Sequence, residues 1–251
     1  MPLVQPYTLL AGNAADWIAG AGAMLLAVLA LVYRVRRRGV APGRYIPSLA
    51  WLRAGLYCCA AVIVSWSLGV LQSLLQAPVV APGQWRDLLW VGSTLGYVLV
   101  LGVAYLVVWP RGTFTGGRRR HPVLTTAYGL AWGLCHGQVF LCFWALAEWT
   151  GLHSFWVAAI AWLLLSAYNF AYHQFFWDVY VSPPHNLAAW NQRKILFCHT
   201  PNLVLGLLWL AAWGNFGLWL LLQTGCLLAS AHRMRFPAWY DEYSAVAGET
   251  R

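Results

Sequence analysis

Apolar residues run along this chain in long blocks, and the blocks are parted by short segments rich in arginine, proline and glycine. Seven blocks are long enough, or nearly so, to cross ~30 Å of hydrocarbon at ~1.5 Å per helical residue. They cover roughly residues 16–33, 54–76, 88–109, 123–147, 154–177, 195–213 and 215–231. The pattern predicts an all-α, polytopic membrane bundle of about seven transmembrane helices, formed as one domain over residues 1–251. No internal repeat of 20–50 residues and no low-complexity linker divides it. The longest polar connections are 34–53, which holds Pro42 and Pro47, then 110–122, ending in His121-Pro122, and 178–194. Pro110 and Pro122 mark helix limits, because proline restricts the residue before it and has no N–H to donate.

Composition supports the pattern. With 61% hydrophobic and only 9% charged residues, a water-soluble fold could not hide the apolar surface of this chain. The 16 basic and 7 acidic residues leave a net charge of +9, which in a soluble protein would suggest nucleic acid. Their placement explains them differently. With the N-terminus outside, the cytoplasmic connections carry Arg34, Arg36, Arg37, Arg38, Arg44 and Arg53, then Arg111, Arg118, Arg119 and Arg120. Arg193 and Lys194 follow, then Arg233, Arg235 and Arg251, and only Arg86 falls outside. Basic residues concentrate on the cytoplasmic side of membrane proteins, so the expected location is a bacterial inner membrane, multi-pass, with the N-terminus periplasmic and the C-terminus cytoplasmic. The expected partner is then the lipid bilayer, and no nucleic acid. The first block lacks a basic leader and is followed by arginines, so it is expected to be retained as a span and not cleaved.

Ionisable and amide groups inside hydrocarbon are costly, so each is a candidate for function unless it reaches an end or a partner. Asp16, Asp87 and Glu148 all fall near the outer boundary. His136 does not: it stands mid-block in WGLCHGQ, between Gly133 and Gly137, on a small-residue path that admits another helix or a planar ligand. His173 and His199 lie at the cytoplasmic ends of the fifth and sixth blocks. The connection between those blocks, which includes HQFFWDVYVSPPHN, brings His173, Gln174, Asp178, His185, Asn186, His199 and Asn202 to one membrane face. Three readings of this group stay open. His173, Asp178, His185 and His199 could hold a metal ion; His136, His173 and His199 could ligate haem iron or chlorophyll magnesium; or the group could hydrogen-bond the turn at Pro183-Pro184, with Gln174, Asn186 and Asn202 as polar support.

Several enzyme classes are excluded by spacing. There is no H-E-x-x-H, no closely spaced histidine boxes, no phosphate-binding glycine loop and no G-x-S-x-G elbow. The only lysine, Lys194, is expected as an interfacial anchor, and a retinal Schiff base would need a lysine well inside the last helix. The six cysteines lie in apolar blocks without C-x-x-C spacing and read as packing residues. Of the 17 tryptophans, Trp85, Trp90, Trp109, Trp149, Trp177, Trp190, Trp213 and Trp239 sit near block ends, while Trp66, Trp132, Trp144, Trp162 and Trp209 lie deeper, against neighbouring helices or a flat cofactor.

In the second half, His173-Gln174 leads into Tyr180-Val181-Ser182-Pro183, His199 begins the next block, and Trp213-Gly214-Asn215-Phe216-Gly217-Leu218-Trp219 forms a turn. Over about residues 168–237 this resembles the multi-span photosynthetic-complex assembly proteins of purple bacteria encoded beside the reaction-centre H subunit. Where that family places a glutamate after each histidine, this chain has Gln174 and Thr200, and HRMRFPAWYDEY stands after the last block. The resemblance implies a membrane factor that helps assemble a reaction centre and antenna by handling bacteriochlorophyll or protein helices, with photosynthetic complex subunits or an apolar small molecule as partners. The residues alone leave two other functions open: a histidine-dependent membrane enzyme acting on a lipid or isoprenoid, and a structural subunit of a larger membrane complex.

Overall fold

The computed structural model describes residues 3, 13–38, 47–111, 120–172 and 195–235. Every regular element among the described residues is helical. Helix α1 spans Asn13–Arg37, α2 Pro47–Ser67 and α3 Val70–Gln76. Helix α4 runs over Leu88–Arg111 and contains a π-helical stretch at Val103–Val108. Helix α5 is Pro122–Glu148, α6 is Ser154–Tyr172, α7 is Thr200–Trp213, entered through a π turn at Ile195–His199, and α8 is Phe216–Met234.

Helices thus occupy each of the seven apolar blocks, but their membrane-crossing capacity is smaller than the blocks suggest. Among the described residues, α4 and α5 are long and apolar enough to cross a membrane, and the bent pair Trp51–Ser67 with Val70–Gln76 makes a third if it is one broken span. The block at 54–76 is split at Gly69, whose φ of 75° turns the chain so that α2 and α3 meet at 75°. Among the residues whose side chains are described, α6 is apolar over Ser154–Asn169 and α7 with its entry turn over Phe197–Trp213. In α8 the apolar run is interrupted by Gln223, Thr224, Ser230, His232 and Arg233.

Helix ends follow from ordinary capping. Asp87 accepts hydrogen bonds from the backbone N–H groups of Leu89 (2.9 Å) and Trp90 (3.2 Å) and so starts α4. Pro122 opens α5, where its missing N–H costs nothing. Gly214, at φ 65°, stops α7 in the left-handed conformation, its N–H donating to the Leu210 carbonyl at 2.8 Å.

The closest helix pairing is α5 against α8. Gly129, Gly133 and Gly137 lie four residues apart on one face of α5, and a methyl group at each would run into Leu228, Thr224 and Leu220 of α8 respectively. The partners descend as the glycines ascend, so the two helices are antiparallel. At Gly133 such a methyl would lie 2.8 Å from the Thr224 Cα, a backbone atom that cannot swing aside. The path beside His136 is therefore filled by a helix. α4 shows the complementary logic: Trp90, Tyr97, Leu101, Ala104 and Tyr105 face inward, while Leu88, Leu95, Leu99 and Val103 are exposed. Exposed apolar surface of that extent marks a face that contacts a membrane or another protein. The tryptophan expectations divide in the same way, with Trp132, Trp144 and Trp209 buried but Trp162 exposed on the outer face of α6.

Replacing Gly133 by alanine should cost about 1–3 kcal/mol, since overpacking forces backbone movement. Gly92→Ala and Gly96→Ala, where a methyl meets nothing within 4 Å, should be neutral or slightly stabilising. Unfolding in detergent followed by tryptophan fluorescence checks both.

Candidate functional site

Two clusters of polar side chains lie inside the bundle. The first joins α4, α7 and α8. Asn202 and Gln223 form a reciprocal amide pair, with Gln223 Nε2 donating to Asn202 Oδ1 at 2.8 Å and Asn202 Nδ2 donating to Gln223 Oε1 at 3.3 Å. Asn202 Nδ2 also donates to the Tyr105 hydroxyl at 2.9 Å, and Gln223 Nε2 to the Tyr97 hydroxyl at 2.6 Å. Tyr97 returns a hydrogen bond to Asn202 Oδ1 at 3.3 Å, closing a ring of buried donors and acceptors. Trp209 stacks on Tyr97 with centroids 5.8 Å apart and donates to Thr94 at 3.3 Å. Gly206 makes room for this arrangement, because a methyl there would lie 2.8 Å from both the Tyr97 hydroxyl and the Trp219 indole nitrogen.

The π stretch in α4 belongs to the same cluster. The Trp109 N–H bonds the Ala104 carbonyl, five residues back, so in this register the Tyr105 carbonyl would look to residue 110, a proline without an N–H. Ser230 of α8 fills the gap, its hydroxyl 2.7 Å from the Tyr105 carbonyl and equally near that of Cys226. The π turn at Ile195–His199 packs on this stretch, and His199, half-buried, meets Trp109 edge-on at 5.5 Å.

The second cluster lies between α2, α5 and α6. Tyr128, Trp132, His136 and Phe140 recur every four residues along α5 and make an aromatic column. Tyr57 of α2 stacks on Trp132 at 4.7 Å and brings its hydroxyl within 3.0 Å of His136 Nδ1. The Tyr168 hydroxyl of α6 donates to that of Tyr57 at 3.0 Å. Two hydroxyls and an imidazole thus form a chain that fixes the ring plane of a half-buried histidine.

At the opposite end of α5, Glu148 accepts from the Leu3 backbone N–H at 2.8 Å and from the Trp144 indole at 2.7 Å. Nearby in chain order of function, Asn215 locks the α7–α8 turn: Trp90 Nε1 donates to its Oδ1 and its Nδ2 donates to Gln84 Oε1, both at 2.8 Å. The Trp213–Trp219 motif is therefore a helix stop, a polar latch and a buried Trp219 in sequence.

Of the residues singled out from the sequence, the structure places His136, His199 and Asn202 in these surroundings. His173, Gln174, Asp178, His185 and Asn186, together with Lys194, lie outside the described residues. Among the described residues no three of His, Cys, Asp and Glu gather as a metal site, and all six cysteines are free thiols. Sequence reasoning missed Gln223, Tyr97, Tyr105, Tyr57 and Tyr168. Gln223 carried a usable signal, an amide in the middle of an apolar block; the tyrosines carried none, because their pairing spans 79 to 126 residues. No protein-family model, curated protein or solved structure matches the chain.

Asn202→Leu or Gln223→Leu strands the other amide and should cost about 1–3 kcal/mol, whereas the double variant should cost less than the sum. A double-mutant cycle on detergent unfolding should return a coupling of about 1 kcal/mol, the scale of side-chain hydrogen bonds between membrane helices.

Proposed function

We propose that this chain is a multi-pass protein of the bacterial inner membrane, crossing seven times with its N-terminus outside, that assists assembly of a photosynthetic reaction-centre or antenna complex by handling an apolar ring cofactor. The observation that carries the reading is His136. It is a half-buried imidazole in a column of aromatic rings, with Nδ1 next to the Tyr57 hydroxyl and a second hydroxyl behind that. Imidazoles that ligate a metal centre are oriented through the other ring nitrogen in this way, and Trp132 and Phe140 offer flat apolar surface on either side. For bacteriochlorophyll or haem, His136 would supply the metal-holding nitrogen and Tyr57 would hold its tautomer. Because α8 fills the glycine face of α5, the cofactor side is the one that α5 shares with α2 and α6. The resemblance at His199 and Trp213–Trp219 supports the assembly role, as does the placement of basic residues for the orientation.

The Tyr168–Tyr57–His136 chain also supports a second reading, a membrane enzyme on a lipid or isoprenoid in which this chain moves a proton. The two separate by colour. Purified from a pigment-producing host, the protein should show the absorption bands of a bound macrocycle; His136→Leu should abolish them, and Tyr57→Phe should weaken retention about 10- to 100-fold. A colourless wild-type protein, or an unchanged spectrum in His136→Leu, would rule out the pigment reading.

A further inference from the structure

Between α2 and α5 the aromatic rings form a file that runs from the interior towards the end of the bundle where both helices begin. Tyr57 stacks on Trp132 with centroids 4.7 Å apart and planes at 25°. Trp132 stacks in turn on Tyr128 at 5.8 Å and 14°, and Tyr128 meets Trp51 edge-on at 6.5 Å. Trp132 and Tyr128 are buried, while Trp51, near the start of α2, is half-exposed. Indoles and phenols are the aromatic side chains that give up an electron; benzyl and imidazole rings hold theirs. The file is therefore open to electrons between Tyr57 and Trp51, and it closes on the other side, where the column continues as His136 and Phe140. A phenol that loses an electron becomes a strong acid and must shed its proton. At Tyr57 the acceptor is in place, His136 Nδ1 at 3.0 Å. The Tyr168 hydroxyl donates to the Tyr57 oxygen at 3.0 Å, which turns the Tyr57 proton towards the imidazole and keeps a hydrogen bond on the oxygen once that proton has gone.

From this geometry we infer that Tyr57 is a redox-active tyrosine, which gives up single electrons by way of Trp132, Tyr128 and Trp51 to an oxidised metal macrocycle. Metal macrocycles are the cofactors that carry one-electron chemistry of this kind. In the step the Tyr57 O–H bond breaks and an N–H bond forms at His136 Nδ1. One electron leaves along the file, and the oxidant is reduced by that electron. Tyr57 becomes a neutral phenoxyl radical beside an imidazolium, and return of one electron with the same proton restores the phenol. The stacked indole and the two hydrogen bonds thus have separate tasks, Trp132 for the electron, His136 for the proton and Tyr168 for the radical oxygen. The inference rests on the hydrogen bond at Nδ1 and not on His136 holding a pigment, so a colourless protein leaves it standing.

The test oxidises the full chain in neutral detergent with flash-generated tris(bipyridine)ruthenium(III) and reads radicals by transient absorption and electron paramagnetic resonance. The wild type should give a tyrosyl radical. Tyr57→Phe should lose it and leave the oxidation on an indole, read as a tryptophan radical. His136→Leu should slow tyrosyl formation about 100-fold, the scale set by a positioned proton acceptor. Tyr168→Phe, which removes one hydroxyl and leaves the packing, should keep the radical but change its resonance line shape, because the oxygen has lost a hydrogen bond. That variant keeps the inference open to refutation if His136→Leu fails to fold. Tyr33→Phe on α1 should match the wild type. No tyrosyl radical in the wild type, an undiminished one in Tyr57→Phe, an unchanged rate in His136→Leu or an unchanged line shape in Tyr168→Phe would each overturn the inference.

Discussion

A side-chain amide inside a bundle of apolar helices has no water to turn to, and Asn202 and Gln223 meet that constraint by binding each other. Each side chain in the ring they form with Tyr97 and Tyr105 bonds a partner on a different helix. The arrangement therefore sets the relative height and rotation of α4, α7 and α8 at once. In a bilayer apolar packing alone would not do this, since lipid chains would compete for leucine side chains nearly as well as protein does. Half-satisfied, the same groups would destabilise the bundle, which is why Gly206, Ser230 and the π register of α4 all accommodate the ring.

From that fixed point the rest of the bundle follows by two further close approaches. The glycine face of α5 lets α8 come near enough for its backbone to touch, and α8 carries Gln223 on the side turned to α4 and α7. α5 in turn presents the aromatic column to α2 and α6, where Tyr57 and Tyr168 hold His136. The interior thus has one polar centre that serves architecture and one that presents an oriented imidazole. A cavity of about 370 Å³ lies at a third place, where the α5–α8 pair ends.

The helices were legible as apolar blocks because composition dominates at that scale. The break at Gly69 was not, since Leu68 and Val70 keep the block apolar and only the glycine hints that the chain can turn there. The small-residue path beside His136 was legible as a place of close approach, though its occupant, α8, was not, and Gly129 extends it by a turn. Asn202 stood out as a polar residue near a helix start, but as polar support for the histidine group; its actual partners are tyrosines and a glutamine. Tyrosine is ambiguous in sequence, equally at home in a membrane interface, a stack or a hydrogen bond, and nothing in its spacing reveals a partner a hundred residues away.

The polar ring predicts a cooperative core around Cys198, which is fully buried on the π turn leading into α7, whereas Cys59 on α2 is only partly covered. The most direct measurement is the rate at which a small membrane-permeant thiol reagent modifies each cysteine as the detergent is made progressively denaturing, read by peptide mass spectrometry. Cys198 should stay unmodified under native conditions while Cys59 reacts, and should become reactive in one step together with Cys226 as α4, α7 and α8 part. Reaction of Cys198 at the native rate of Cys59, or well before Cys226, would contradict a bundle held at Asn202 and Gln223.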